Sequence, residues 1–218
     1  MSIRKTLCAW LGCCTLPTPI VPTGPGAAPA RPLVGIYGDS LTVGTVEGQP
    51  NNINHVPPVR RINEHARGRF FGISYGRPGA TAGDAIAGAW GLVYARWAEH
   101  VAQAPDHVMV LRFGGADYLL GVPPADFVAH LRTLVQQAQA AGKAVVLVGI
   151  PDLTPGVLGF DGLVRQVAQA EGVRYIDLSG VAINPGDQPD GFHPGQALSD
   201  RIAEVIAREL LDIIGAGG

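Results

Sequence analysis

A serine and a histidine about 150 positions apart carry the most chemistry in this chain. Ser40 stands in Gly38-Asp39-Ser40-Leu41, directly after the apolar run Leu33-Val34-Gly35-Ile36-Tyr37, and His193 stands in Pro189-Asp190-Gly191-Phe192-His193-Pro194. A serine hydroxyl is a weak nucleophile at neutral pH and needs a neighbouring base, and an imidazole acting as that base needs a partner to fix its tautomer. Asp190, three residues before His193, has the spacing to orient the ring while the ring reaches outward. Ser40, His193 and Asp190 therefore form a chemically complete set for nucleophilic attack on a carbonyl. Each member also has an ordinary explanation, Asp39 and Ser40 as helix N-cap residues and His193 as a surface histidine. Only a fold that brings the two loops together makes them a site.

The rest of the chain supplies such a fold. Leu33–Tyr37 is apolar and rich in β-branched and aromatic residues, as a buried strand should be, and Gly38 permits a sharp exit. Further strands are expected at Phe70–Tyr75, His107–Phe113, Ala144–Ile150 and Val173–Asp177. Helical periodicity marks Pro57–Ala66, one long helix over Asp84–Ala104, then Pro124–Ala141, Asp161–Ala170 and Gln196–Ile214, while Thr42–Asn54 reads as a loop. Five strands alternating with helices predict a parallel five-stranded sheet covered on both faces, a three-layer α/β/α sandwich of flavodoxin-like type. The carboxyl ends of its strands share one rim. Ser40, Gly79, Gly114–Asp117 and the Leu178–Gly195 loop all fall there.

Composition agrees with one substantial core: 218 residues, 47% hydrophobic, 16% charged and a net charge of −2, with no basic excess to suggest nucleic acid. Residues 1–32 differ from the rest. Arg4 and Lys5 precede an apolar stretch too short to span a bilayer, and a Pro/Gly/Ala-rich run ends in Ala28-Pro29-Ala30, which is the layout of a secretory leader. The expectation is an exported protein, cytoplasmic if the leader is only a Pro-rich extension, with the working domain at 33–218. Cys8, Cys13 and Cys14 all lie in the leader, so that domain has no thiol chemistry. Leu11-Gly12-Cys13-Cys14 bears a poor likeness to a lipoprotein cleavage site, and membrane attachment is expected only if lipid is added there.

With these residues in view, the chain resembles the GDSL, or SGNH, hydrolases, serine esterases and lipases built as α/β/α sandwiches. Gly38-Asp39-Ser40-Leu41 is similar to that family's nucleophile block, Pro78-Gly79-Ala80-Thr81 to its second block, and Asp190-x-x-His193 to its terminal block. The resemblance implies an acyl-enzyme on Ser40, His193 as base oriented by Asp190, and an oxyanion hole built from the Ser40 and Gly79 backbone N–H groups. The third block departs from the pattern. The family expects Gly-x-Asn-Asp, its Asn side chain donating to the oxyanion, whereas Gly114-Gly115-Ala116-Asp117 places Ala116 there, or Asp117 if the alignment shifts by one.

The implied substrates are carboxylic esters with a short acyl, carbohydrate or lipid part, and the chemistry calls for no cofactor and no metal. Two other readings use the same residues. One is a catalytically weakened binding protein for an acylated glycan or lipid, and the other is an O-acyltransferase passing the acyl group to a sugar. His55, His65, His100, His107 and His130 have no ligand spacing. No Gly-x-Gly-x-x-Gly follows the first strand. Arg60 and Arg61 read as a solvated helix face, and Arg112, in an apolar strand, reads as an edge or strand-end residue. Phe71, Tyr118, Phe160 and Phe192 are candidates either to line an open cleft or to fill the core.

Overall fold

The structure, a computed structural model, describes residues 31–45, 56–89 and 95–215. The leader with its three cysteines, His55 and most of the 42–54 loop lie outside the described residues. The five expected strands are present, each within one or two residues of its expected bounds: β1 (Leu33–Gly38), β2 (Phe71–Ser74), β3 (Val108–Arg112), β4 (Ala144–Val148) and β5 (Arg174–Ile176). All neighbours pair in parallel, in the order β2-β1-β3-β4-β5. Every residue of β3 is buried, as a strand covered on both faces requires.

The helices are α1 (Ser40–Val43), α2 (Pro58–Ala66), α3 (Ala82–Ala87), α4 (Trp97–Gln103), α5 (Gly115–Leu119), α6 (Pro124–Ala140), α7 (Val157–Ala170) and α8 (Gln196–Gly215). They fall into two packed groups: α2 with α8, and α6 with α3, α4 and α7. Phe127, Leu131 and Leu134 of α6 and Ile202, Ile206 and Leu210 of α8 are buried on the faces their periodicity predicts.

Three expectations need correction. The helix expected over Asp84–Ala104 is two elements. A capping box of Thr81 and Asp84 starts α3, and Gly88, left-handed at φ 69°, ends it. A Cβ on Gly88 would lie 2.9 Å from the Arg96 nitrogen, so the chain turns there because it is glycine. The expected helix residues Trp90, Val93 and Tyr94 lie outside the described residues. The segment after Ser40 does not open directly into loop: residues 40–43 form one helical turn, closed by Gly44 at φ 83°. Arg112 ends a strand as expected but is interior to the sheet, because β3 lies between β1 and β4.

This topology decides where a site can form. Strand order reverses between β1, whose next strand lies on one side, and β3, which lies on the other, so their connections leave a crevice at the carboxyl ends. Gly38 is in register with Arg112. The chain therefore reaches Ser40 and Gly114 at the same level of the same rim.

Candidate active site

Asp39 is the N-cap of α1, and its Oδ1 accepts the Leu41 N–H at 2.9 Å. Its Oδ2 accepts the Ala116 N–H, also at 2.9 Å, so one carboxylate joins the turn that carries Ser40 to the first turn of α5. The approach is close: a Cβ on Gly38 would lie 2.1 Å from the Arg112 carbonyl oxygen, and one on Gly115 would lie 2.9 Å from Asp39 Oδ2. Glycine is required at both positions for the two strand exits to converge.

Across the crevice, the Leu178–Gly195 loop delivers the imidazole. The Asp190 Oδ1 accepts the N–H groups of Phe192 (2.9 Å) and His193 (2.7 Å), which closes a tight turn around the carboxylate. Its Oδ2 lies 2.6 Å from His193 Nδ1, and His193 Nε2 lies 2.9 Å from Ser40 Oγ. With the hydroxyl donating to Nε2, the ring's proton sits on Nδ1 and points at Asp190. Partial burial works against charge on Asp190, but the two N–H groups and the imidazole outweigh it and hold its carboxyl below the usual range. Gln188 steadies this loop by donating its amide to the carbonyls of Leu153 (2.5 Å) and Phe192 (3.2 Å).

The second block forms a turn. Ala80 N–H donates to Arg77 O at 3.1 Å, with Pro78 and Gly79 (φ 75°) at the centre, the residue pair a type II turn favours. Neither the Gly79 N–H nor the Ser40 N–H donates to a protein group among the described residues. Both residues line a pocket of about 180 Å³ with Thr45, Pro78, Ala116, Leu119, Leu120 and His193.

At the third block the two candidate residues, Ala116 and Asp117, stand in different places. Ala116 is on the pocket wall, whereas Asp117 is fully buried behind it and accepts the Ala82 N–H at 3.1 Å, tying α5 to α3. On the pocket wall this block thus presents the methyl group of Ala116. Beneath the pocket, Arg112 Nη1 donates to the Leu41 carbonyl at 2.6 Å, and its positive charge faces Asp39. Burial pushes the Arg112 guanidinium down to about 10 and raises Asp39 above the usual carboxyl range. Burial, reinforced by the nearby Asp39 charge, pushes Asp117 up to about 7.

None of the four aromatic candidates lines this pocket. Phe160 and Phe192 are core, Phe71 is exposed on the edge strand β2, and the Tyr118 hydroxyl donates to the Pro155 carbonyl at 2.7 Å. Leu119 and Leu120 line it instead, and their only sequence signal is an apolar pair one residue beyond the third block. A larger groove of about 580 Å³ runs along β2 between Val59, Asn63, Phe71 and Ile73 but contains none of the reacting groups. His65 and His130 lie on α2 and α6, the His100 ring meets the Tyr37 hydroxyl at 2.9 Å, and His107 Nδ1 accepts the Leu33 N–H at 3.2 Å.

Comparison with known proteins places relatives beside this geometry. A sequence model of the GDSL-like lipase/acylhydrolase family matches residues 36–201. Esterase TesA of Pseudomonas aeruginosa is 34% identical over 129 residues, which cover 56% of this chain and 62% of the length of that curated relative. A crystal structure of TesA superposes with a TM-score of 0.66 at 24% identity, over 84% of this chain and 99% of that one. The psychrotrophic esterase EstA from Pseudoalteromonas sp., solved inhibited by monoethylphosphonate, gives 0.66 at 18% identity, over 84% and 98%. These superpositions establish the shared fold.

Proposed function

The chain belongs to the GDSL-like lipase/acylhydrolase family, and from that premise we propose that it hydrolyses carboxylic esters through an acyl-enzyme on Ser40. The observation that carries this reading is the 2.9 Å contact of His193 Nε2 with Ser40 Oγ, in line with the Asp190 carboxylate. His193 takes the hydroxyl proton as Ser40 Oγ attacks the ester carbonyl, and Asp190 stabilises the imidazolium that results. The tetrahedral oxyanion is met by the Ser40 and Gly79 N–H groups, the two left uncommitted at the pocket. His193 returns the proton to the leaving alcohol and then activates the water that hydrolyses the acyl-enzyme. Asp190, held below the usual carboxyl range, remains ionised throughout.

Ala116 supplies no side-chain donor, and its N–H is committed to Asp39. Loss of one oxyanion donor lowers kcat by about 10²–10³, so slow turnover is expected. The same observation favours a second reading, a binding protein for acylated ligands in which catalysis is incidental. A fluorophosphonate probe separates the two, because an activated serine is labelled and an idle one is not. Replacing Ser40 by alanine should abolish labelling and the turnover of nitrophenyl esters; undiminished turnover by Ser40→Ala rejects Ser40 as nucleophile.

Export is part of the same proposal and rests on the charge and apolar pattern of residues 4–30. Expression of the whole chain with N-terminal sequencing of the product tests it: a cleaved product outside the cytoplasm supports export, and an intact product retained inside overturns it.

A further inference from the structure

Among the described residues four large hydrophobic side chains are exposed: Phe71, Leu119, Leu120 and Leu158. Two of the four, Leu119 at 52% and Leu120 at 65%, stand on the wall of the Ser40 pocket. Apolar surface held open beside a reacting group is surface that a ligand can cover.

The wall beneath them is apolar for a specific reason. Ala116 offers a methyl group, its N–H is used by Asp39 and its carbonyl accepts the Leu120 N–H at 2.9 Å, so no polar group of this residue is left to face a ligand. Pro78 has no N–H to offer, and the Thr45 hydroxyl is buried beneath the surface. Of the side chains lining the pocket, only those of Ser40 and His193 offer an accessible polar atom, and the reaction uses both. An asparagine at 116 would add a donor and also occupy part of the space, so this chain gives up a donor and gains apolar room at the same position.

Resting on the reading of Ser40 as nucleophile, we propose that the pocket binds the acyl chain of the ester and selects apolar acyl groups of about four to six carbons over acetyl, with Ala116 and Leu120 as specificity-determining residues. The size follows from the volume: about 180 Å³ here, against about 150 Å³ for an apolar cavity that accepts the six carbons of benzene. Burial of each added methylene raises kcat/KM about fourfold until the space is filled.

The test is kcat/KM on nitrophenyl acetate, butanoate, hexanoate, octanoate and dodecanoate, which vary the acyl chain at a constant leaving group. The wild type should climb about fourfold per methylene from acetate to hexanoate and then level or fall. In Ala116→Asn the ratio of hexanoate to acetate should drop about tenfold or more, because the carboxamide fills the pocket while serving the small substrate as a donor. In Leu120→Ser the same ratio should also drop about tenfold. A wild-type profile that is flat or highest at acetate overturns the proposal, as does a ratio unchanged in both variants. The underlying reading fails separately, if Ser40→Ala turns over hexanoate like the wild type or the wild type turns over none of the series.

Discussion

Replacing Asp117 by asparagine should stabilise the protein, and by an amount that grows with pH. Asp117 is fully buried, and burial together with the Asp39 charge pushes its carboxyl up to about 7 from an ordinary 3.8. That difference of about 3 units corresponds to about 4 kcal/mol at 1.36 kcal/mol per unit. The sign follows from proton linkage. Below about pH 4 the carboxyl is protonated folded or unfolded and contributes no difference. As pH rises toward 7 the unfolded chain releases the proton that the folded chain still holds, so stability is lost through that window and the full penalty stands above it. Asparagine cannot ionise, yet its side-chain oxygen can still accept the Ala82 N–H that the carboxylate accepts at 3.1 Å. The charge facing it is that of Asp39, which adds to the upward shift. Urea unfolding of wild type and Asp117→Asn at about pH 4, 6 and 8 should give a difference near zero at the first and up to about 4 kcal/mol in favour of the variant at the last. A difference that does not change with pH refutes the reasoning, because it would mean that Asp117 is not held protonated by burial.

Three further outcomes follow from the same geometry. Asp190→Asn should lower ester turnover by about 10⁴ with little change in melting temperature, since an amide cannot hold the Nδ1–H tautomer; a loss under tenfold contradicts the assigned role. Arg112→Met removes the donor to the Leu41 carbonyl and leaves Asp39 buried without its cation, so denaturant unfolding at neutral pH should report a loss of about 3–5 kcal/mol, and an unchanged midpoint would show that the pair is not needed. Gly79→Ala has no steric neighbour within 4 Å but must hold φ 75°; a stability loss of about 1–2 kcal/mol is expected together with slower fluorophosphonate labelling as the turn shifts its N–H, and unaltered labelling argues against that N–H in the oxyanion hole.

Strands and reacting groups were legible in the sequence for different reasons. A parallel strand buried on both faces must be apolar along its whole length, so runs such as Ala144–Val148 announce themselves. The Ser40, Asp190 and His193 set is legible because few residue types do this chemistry, and the β1–β3 register brings the loops to one rim. The Asp39 cap of α1 is legible as an N-cap signal after a strand, but the extents of α1 and α5 are not, because a helix of four or five residues has no periodicity to read. What defines these turns is tertiary: Asp39 holds both at once through two oxygens of one side chain. The break at Gly88 is hidden in the sequence because apolar spacing runs across it, and nothing local tells a glycine inside a helix from one that ends it. Arg112 is a similar case. A cation in an apolar strand suggests an edge or a strand end, and Arg112 is the last residue of β3; only the fold supplies the Leu41 carbonyl and the Asp39 charge that let it sit inside.

Why acidic residues gather at this rim can be argued from the backbone. Where parallel strands end and diverge at the β1–β3 crevice, the next N–H groups lose their ladder partners, and a buried N–H without an acceptor is costly. Short acidic side chains take them up: Asp39 accepts from Leu41 and Ala116, Asp117 from Ala82, and at the exit of β4 Asp161 accepts from Ile150 at 2.9 Å. Ser40 and Gly79 are passed over by this network, and they are the two that face the pocket. These two free N–H groups are what remains once the neighbouring backbone donors named here have acceptors, and they suit the proposed oxyanion hole. Asp39 does not line the pocket, but its second oxygen fixes Ala116 and so fixes how wide the gap beside Ser40 is. Burial raises the pKa of both Asp39 and Asp117, against the backbone donors that pull each of them down.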